Sequence, residues 1–405
     1  MRLHLFWLAM LVVGSPAWAK KVDLDYQVRL LPVTGQAEVR LSLTDGSAVR
    51  SLDFDLGKAG VYSDFQTDGQ WQLQAQGARG LWHPAPGKTS LSYRVQLDQK
   101  TRIGSAFESR ITPGWALFRG DQLVPPGHLD QQDGTELVAR LGIELPSGWK
   151  SIETAWPRIG KQRFRIDNVS RLFDRPTGWM LAGSIGSRRA RLGETDVTVA
   201  APRSQGMRRM DTLTLLTFVW PHLQAVFPRN PPKLLVVGVR DEMWRGVRSS
   251  HQSLYLHNSL PLISENGSSA LLRELVQLFG QINPREGSDW LSESLADYYA
   301  TALLRRAGGM SDDRYQALQD RLLKQSAKVT RLRGETASAA QVARGVLLLQ
   351  ALDAEIRLHS QGRHSLDDVT QALMRLSSVS SEEFVQISEN VLGRRSEVLQ
   401  DKLLR

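Results

Sequence analysis

Residues 271–280 read LLRELVQLFG, and residues 290–300 read WLSESLADYYA. Both segments lie in a C-terminal region whose apolar spacing is typical of helices. On a helix, positions 273 and 277 lie one turn apart on the same face, as do positions 293 and 297. The residues at these four positions are Arg273, Gln277, Glu293 and Asp297.

The spacing of residues 273–277 is that of the HExxH motif. In this motif two histidines one turn apart hold zinc, and the glutamate between them acts as general base. Here the glutamate is present as Glu274, whereas the histidine positions hold Arg273 and Gln277. A third ligand comes from a following helix, where Glu293 stands at the corresponding place. The segment thus has the outline of a zinc-binding helix without its histidines.

Longer stretches carry a resemblance to a known family. WLSESLADYYATALLRRAGG (290–309) is similar to the WLxEGxxxYY…LLRRAG stretch of exported zinc aminopeptidases of the gluzincin superfamily, most closely the glycyl aminopeptidases. RGVLLLQALDAEIRLHSQGRHSLDDVTQALM (344–374) resembles the helical end of their catalytic domain, and LSYRVQL and ALFRGDQLVPP resemble their N-terminal β-domain. The resemblance covers nearly all of the chain, although the family's PDZ domain has no counterpart before Arg405. It implies an α+β chain, with a β-sandwich-like domain followed by a thermolysin-like, mainly helical domain.

Several active-site roles of that family have no matching residue here. Arg273 cannot bind a metal because its guanidinium stays protonated, and the amide of Gln277 is a poor zinc ligand. The family's amine-binding acidic residue corresponds to the stretch WRGVRSSHQS (244–253), which has no Asp or Glu; we retain Arg248 there as a binding candidate. The family's oxyanion-stabilising tyrosine corresponds to Val342. Together these losses predict no bound cofactor, no hydrolysis by the family mechanism, and a vestigial role for Glu274.

The arginine at a former ligand position indicates what replaces the metal. We expect the Arg273 guanidinium to pair with Glu293 and its fork to bind the carboxylate in a bidentate manner, with Gln277 adding a hydrogen bond, so that the pair holds the two helices together. The alternative is that Arg273 points to solvent and Glu293 pairs elsewhere. Asp297 lies one turn from Glu293 and can form a carboxylate pair with it, although surface or ion-paired acids are commoner.

No other metal site is predicted. The chain has no cysteine, which excludes thiolate ligands and disulfides. Of the eight histidines, only His251 and His257 lie close together before the candidate helix. The interpretation that we favour for them is surface or hydrogen-bonded histidines.

The formal net charge is +9, and six arginines lie between positions 188 and 209. Such a surface can bind anionic envelope polymers, although a solvated basic face is the commoner arrangement. Nucleic acid is not predicted as a partner because no binding motif is recognisable. The six residues are Arg188, Arg189, Arg191, Arg203, Arg208 and Arg209.

Residues 1–19 have the features of a secretory signal peptide. Arg2 precedes an apolar run, and the small-x-small sequence Ala-Trp-Ala comes just before Lys20. No later apolar stretch is long enough to span a bilayer. We therefore expect an exported protein of the periplasm or extracellular space, with a β domain at 20–135 and a peptidase-like α+β domain at 136–405.

The functional interpretation is an exported, catalytically degenerate metallopeptidase homologue that binds peptides or an envelope protein, or acts as a scaffold, in the cell envelope. One alternative is a weak or altered zinc aminopeptidase that uses Glu274 and Glu293. Another is a basic protein that binds envelope polymers. Metal content separates the first two, and salt-sensitive binding to an anionic polymer indicates the third.

Overall fold

The computed structural model describes residues 20–101, 105–167, 173–240, 242–400 and 402–404. The predicted signal peptide lies outside the described residues. Strands fill the N-terminal part of the chain, and helices dominate the C-terminal part. The α+β class predicted from the sequence is thus confirmed.

Alternating apolar residues form the strands of the N-terminal part. In β1 (Lys20–Leu31), every second side chain from Val22 to Leu30 is buried. Besides a one-turn helix, α1 (Gly120–Leu123), the other elements are β2 (Gln36–Leu43), β3 (Val49–Asp55), β4 (Tyr62–Thr67), β5 (Gln70–Gln74), β6 (Arg79–His83), β7 (Thr89–Gln96), β8 (Gln99–Lys100), β9 (Phe107–Ile111), β10 (Trp115–Arg119), β11 (Gly127–Gln131), β12 (Thr135–Glu144), β13 (Ser151–Thr154), β14 (Arg158–Gly160), β15 (Arg163–Ile166) and β16 (Trp179–Gly183).

These strands form three sheets. A seven-stranded sheet has the order β14-β15-β12-β1-β2-β7-β4, a four-stranded sheet has the order β11-β3-β6-β5, and a five-stranded sheet has the order β13-β16-β10-β9-β8. All three contribute side chains to one apolar core, among them Tyr26, Trp82 and Met180.

The strand pairing joins residues on both sides of the domain boundary predicted between residues 135 and 136. β12 lies parallel to β1, from the pair Lys20 and Thr135 to the pair Arg29 and Glu144. β16 lies antiparallel to the earlier strand β10. Strands that share sheets with β1 and β10 belong to the same unit, so the N-terminal β part extends to Gly183.

The C-terminal part combines one sheet with seven helices among the described residues. Its sheet has the order β17-β18-β19-β21-β20, in which the middle three strands are parallel. No described helix is both long and apolar enough to cross a membrane. The elements are β17 (Ile185–Leu192), β18 (Thr195–Pro202), α2 (Arg209–Val226), β19 (Lys233–Val239), β20 (Val247–Ser250), β21 (Ser253–His257), α3 (Ala270–Gly280), α4 (Asp289–Arg306), α5 (Asp312–Ser326), α6 (Ala339–His359), α7 (Leu366–Leu373) and α8 (Ser381–Leu392).

Two packing contacts position the candidate site. Helix α3 packs against the edge strand β20 on one side and against α4 on the other. Helix α4 in turn packs against α6, and all three helices bury apolar residues in a single core with the C-terminal sheet. The polar faces of α3 and α4 therefore meet beside β20.

Candidate functional site

The sequence of α3 leaves three polar residues on a half-buried face. Ser269 caps the helix by accepting a hydrogen bond from the Leu272 N–H at 3.3 Å. The half-buried face carries Arg273, Glu274 and Gln277, whose side chains form hydrogen bonds with α4 and β20. Five apolar residues of the helix are buried, namely Leu271, Leu272, Leu275, Val276 and Phe279.

Arg273 joins the two helices through two carboxylates of α4. Its Nε donates to Asp297 Oδ1 at 2.7 Å, and its Nη2 donates to Glu293 Oε2. Gln277 Nε2 donates to the other oxygen of Glu293 at 3.3 Å. The predicted ion pair between Arg273 and Glu293, with its added bond from Gln277, is thus confirmed. We name Arg273, Glu274, Gln277, Glu293 and Asp297 the arginine–carboxylate cluster.

The bond from Arg273 to Asp297 is the part of this cluster that sequence reasoning missed. The sequence predicts Asp297 either as a partner for Glu293, one turn earlier on the same helix face, or as a surface or ion-paired acid, and it does not name Arg273 as the partner. That spacing was the available signal, because a cation that reaches one of two residues one turn apart also lies near the other. The guanidinium therefore binds two separate carboxylates rather than one in a bidentate manner.

The charges of the cluster are partly shielded from water. The side chains of Arg273, Glu293 and Asp297 are 30%, 35% and 43% exposed. Burial works to lower the pKa of Arg273, but the charges of Asp297 and Glu293 outweigh it and raise that pKa. Partial burial raises the pKa of Asp297 against the lowering effect of Arg273. The guanidinium therefore stays charged beside its two partners.

Glu274 is held by the edge of the C-terminal sheet. Its Oε2 accepts a hydrogen bond from the backbone N–H of Ser249 in β20 at 2.9 Å. Its Oε1 lies 3.9 Å from Nη1 of Arg273. Without such a bond, an edge strand leaves its N–H groups unpaired, and a strand of another chain can pair with them. Glu274 thus ties α3 to β20, and its role as a vestigial base stays a prediction.

The binding candidates Arg248 and Val342 lie outside the cluster. The guanidinium of Arg248 lies 4.8 Å from the centre of the Trp244 ring and 3.8 Å from Glu108 Oε1. Val342 is buried in the first turn of α6, and its carbonyl accepts a hydrogen bond from Ser294 Oγ at 3.2 Å. Among the described residues, none of these polar contacts is with Arg273 or its partners, and both binding roles stay predictions.

His251 and His257 have separate surroundings. His257 Nε2 donates to the Arg240 carbonyl at 2.6 Å, and its Nδ1 lies 2.8 Å from Ser259 Oγ. His251 stacks on Trp156 with 4.2 Å between the ring centres, and burial lowers the pKa of His251 to about 4. The interpretation as a hydrogen-bonded histidine is thus confirmed for His257, whereas His251 is a neutral, stacked ring at pH 7.

The residues of the cluster do not fit zinc. Zinc is held in proteins by imidazole, thiolate or carboxylate ligands. Here a guanidinium that can only donate hydrogen bonds stands at the first histidine position. Within the described ranges, no group of three or more His, Asp or Glu side chains is arranged to hold a metal. The arrangement is an ion-pair network between two helices.

The six arginines of the predicted basic surface lie on and after the edge strand β17. Arg188, Arg189 and Arg191 are exposed on β17, and the guanidinium of Arg209 lies beside Gly186 of the same strand. Three of the six form ion pairs with carboxylates, namely Arg189 with Glu153, Arg191 with Asp196 and Arg208 with Asp211. Part of this positive charge is thus compensated within the protein, and binding of anionic polymers stays a prediction.

We expect a double-mutant cycle between Arg273 and Glu293 to show coupling. Breaking one side of a buried pair costs about 3–5 kcal/mol. Because these side chains are 30% and 35% exposed, we expect each single alanine variant to lose about 1–2 kcal/mol of unfolding free energy. The double variant should lose clearly less than the sum of the two, as measured by urea unfolding.

A matched control is the ion pair between Arg165 and Asp167, whose side chains are both 57% exposed. Arg165→Ala should change the free energy of unfolding by less than about 0.5 kcal/mol. Strictly additive effects of the Arg273 and Glu293 substitutions would contradict the coupling.

Comparison with known proteins identifies the fold. No model of a protein family matches the sequence, and no curated protein matches it. Among solved structures, an aminopeptidase N family protein from Idiomarina loihiensis matches with a TM-score of 0.66 at 14% identity, over 93% of this chain and 78% of that one. An M1 zinc metallopeptidase from Deinococcus radiodurans matches with a TM-score of 0.57 at 16% identity, over 95% and 92% of the two chains.

A mutant of the Deinococcus enzyme bound to the substrate Tyr-Ser-Ala matches with a TM-score of 0.56 at 15% identity, over 95% of this chain and 93% of that one. Identities this low establish a likeness of fold, and the finer resemblance to glycyl aminopeptidases stays a prediction. The protein therefore has the architecture of the M1 zinc aminopeptidases, with β-sheets in the N-terminal part and a mainly helical C-terminal part.

Proposed function

We propose that this protein is a catalytically degenerate M1 metallopeptidase homologue that acts as a binding or scaffolding protein in the cell envelope. The observation that carries the proposal is the position of Arg273. This residue stands at the first histidine position of an HExxH-like segment, and its guanidinium binds Glu293 and Asp297. A fixed positive charge at this place repels a metal cation.

Other residues of the site support the loss of hydrolysis. One carboxylate oxygen of Glu274 is bonded to the Ser249 N–H, which restrains it. Val342, which corresponds to the family's oxyanion-stabilising tyrosine, has no hydroxyl group and is buried. Strand β20 carries no acidic residue that binds an amine. Each of these differences removes a separate contribution to catalysis.

A peptidase-like fold that lacks the groups for hydrolysis can still bind ligands, which supports a binding role. The signal-like residues 1–19 favour export to the cell envelope. Peptides or an envelope protein are the partners expected from the sequence, and the tripeptide bound to the Deinococcus mutant supports peptides as candidates. The exposed arginines around β17 are a second surface on which such a protein can meet anionic polymers.

Metal analysis of the purified protein tests this proposal. We expect far less than one equivalent of zinc after dialysis, because Arg273 and Gln277 hold two of the three ligand positions. We also expect no chelator-sensitive hydrolysis of the peptide Tyr-Ser-Ala. One equivalent of zinc together with chelator-sensitive hydrolysis would instead establish the alternative, a zinc aminopeptidase that uses Glu274 and Glu293.

A further inference from the structure

A groove of about 860 Å³ lies at the C-terminal end of α3, beside the turn between β20 and β21 and residues 229–232. Its volume is that of a small-molecule site. Amide side chains dominate its polar lining, and we name it the amide groove after them. They are Asn230, Gln252, Gln277, Gln281 and Asn283.

The amide groove has little charge. Among the described residues, Arg229 is the one lining side chain with a formal charge, and no carboxylate lines the groove. The guanidinium of Arg229 is bonded to Gln281 Oε1 and, at 3.2 Å, to the Met374 carbonyl. His251 also lines the groove, and its pKa of about 4 leaves the ring uncharged at neutral pH. A cationic ligand therefore meets no counter-charge here.

Several polar groups of the groove have hydrogen-bonding capacity to spare. Within the described part of the chain, the side-chain amide of Gln252 has no hydrogen-bond partner, and neither do the hydroxyls of Ser249 and Ser250. An amide presents a donor and an acceptor side by side, and a hydroxyl does both at one atom. Groups of this kind match ligands that carry many hydroxyl or amide groups.

Two glutamines of the groove occupy backbone positions that favour glycine. Gln252 lies in the turn between β20 and β21 with a φ of +48°, and Gln281 follows α3 with a φ of +48°. Residues other than glycine and asparagine are disfavoured in this left-handed region. Both residues line the same groove. A glycine at position 252 therefore relieves this backbone while it removes one amide from the groove.

We propose that the amide groove binds an uncharged oligosaccharide that carries hydroxyl and acetamido groups. The amide of Gln252 and the hydroxyls of Ser249 and Ser250 supply donors and acceptors for such groups. Among the residues that the structure describes, each of the other four amides has one end bonded within the protein and its other end left for a ligand. Apolar surface for the C–H faces of the sugar rings comes from Pro231, Pro232 and Leu278. The inference rests on the proposed binding function, for which it names a class of ligand.

Calorimetric titration with N-acetylchitotriose tests the proposal. We expect saturable binding of this neutral sugar and no binding of its deacetylated form, because the ammonium groups of the latter meet no carboxylate in the groove. Gln252→Gly removes one amide at a position that favours glycine. Binding should weaken about tenfold, and the melting temperature should stay unchanged or rise.

Gln361→Gly is the matched control. It makes the same substitution at a φ of +54°, in a turn that follows α6 and does not line the groove. It should leave the affinity for N-acetylchitotriose unchanged.

The proposal is overturned by absence of binding at millimolar sugar, by equal binding of the deacetylated form, or by a Gln252→Gly variant that binds like the wild type. Binding of Tyr-Ser-Ala that Gln252→Gly weakens, without binding of the sugar, identifies a peptide as the occupant and also overturns it. The proposed function fails on a different measurement, the zinc content, so the two failures are distinguishable.

Discussion

A variant that carries both Arg273→His and Gln277→His is expected to retain one equivalent of zinc through dialysis. The side chains at both positions already reach the same carboxylate, since Arg273 binds one oxygen of Glu293 and Gln277 binds the other. Two imidazoles one helical turn apart and a carboxylate from the next helix form a three-ligand zinc site. The exchange also removes the fixed positive charge and leaves Glu293 and Asp297 to attract a cation.

The controls for this variant follow from the ligand count. Each single histidine variant supplies only one imidazole and should retain far less zinc, and Glu293→Ala in the double variant should abolish zinc uptake. Peptide hydrolysis is not expected to return, because the losses proposed at Val342 and in β20 remain in this variant. If the double variant keeps the circular dichroism of the folded protein but takes up no zinc, α3 and α4 do not face each other in solution.

Gly345→Ala is expected to lower the free energy of unfolding by about 3 kcal/mol. A Cβ at this position in α6 would lie 2.8 Å from Ser294 Cβ and 3.1 Å from Trp290 Cε3, and still closer to Ser294 Oγ. Both neighbours are fully buried in α4, so neither has room to move away. In an open helix the same substitution stabilises by about 1 kcal/mol. The sign of the effect therefore reports how closely α4 and α6 approach.

Two further variants isolate this contact. Gly114 has no atom within 4 Å of the position of an added Cβ, so Gly114→Ala should change stability by less than about 0.5 kcal/mol. Ser294→Gly removes the two closest atoms, so the double variant with Gly345→Ala should lose less stability than the sum of the single variants. A Gly345→Ala protein as stable as the wild type, by denaturant unfolding, would contradict the close packing of α4 and α6.

The arginine–carboxylate cluster could be predicted because helical geometry fixes its contacts. Residues 273 and 277 lie one turn apart and therefore share one face of their helix. The sequence also predicts that the helix from residue 290 onward faces them. Sequence reasoning thus gave the pair of Arg273 with Glu293, whereas the bond from Glu274 to the Ser249 N–H escaped it. That bond depends on where β20 lies in the folded sheet, and helix periodicity carries no such information.

The boundary between the two parts could not be predicted for a related reason. The alternating pattern of β12 shows that it is a strand, but it does not show which strand it pairs with. Its partner, β1, lies far back in the sequence, and β10 and β16 also pair across a long, though shorter, interval. The turn around residues 125–127 precedes β11 and joins strands within the β part, although its prolines and glycine are also typical of a domain end.

The position of β1 has a consequence for the order in which the chain folds. It is the first described strand, yet it lies inside the seven-stranded sheet between β12 and β2. During synthesis β2 follows β1 at once, but Thr135, the partner of Lys20, emerges only after β11. Until then one edge of β1 exposes unpaired backbone to which other chains can add. Pairings between residues so distant form slowly, so this edge stays open to other chains at least until residue 144 has emerged.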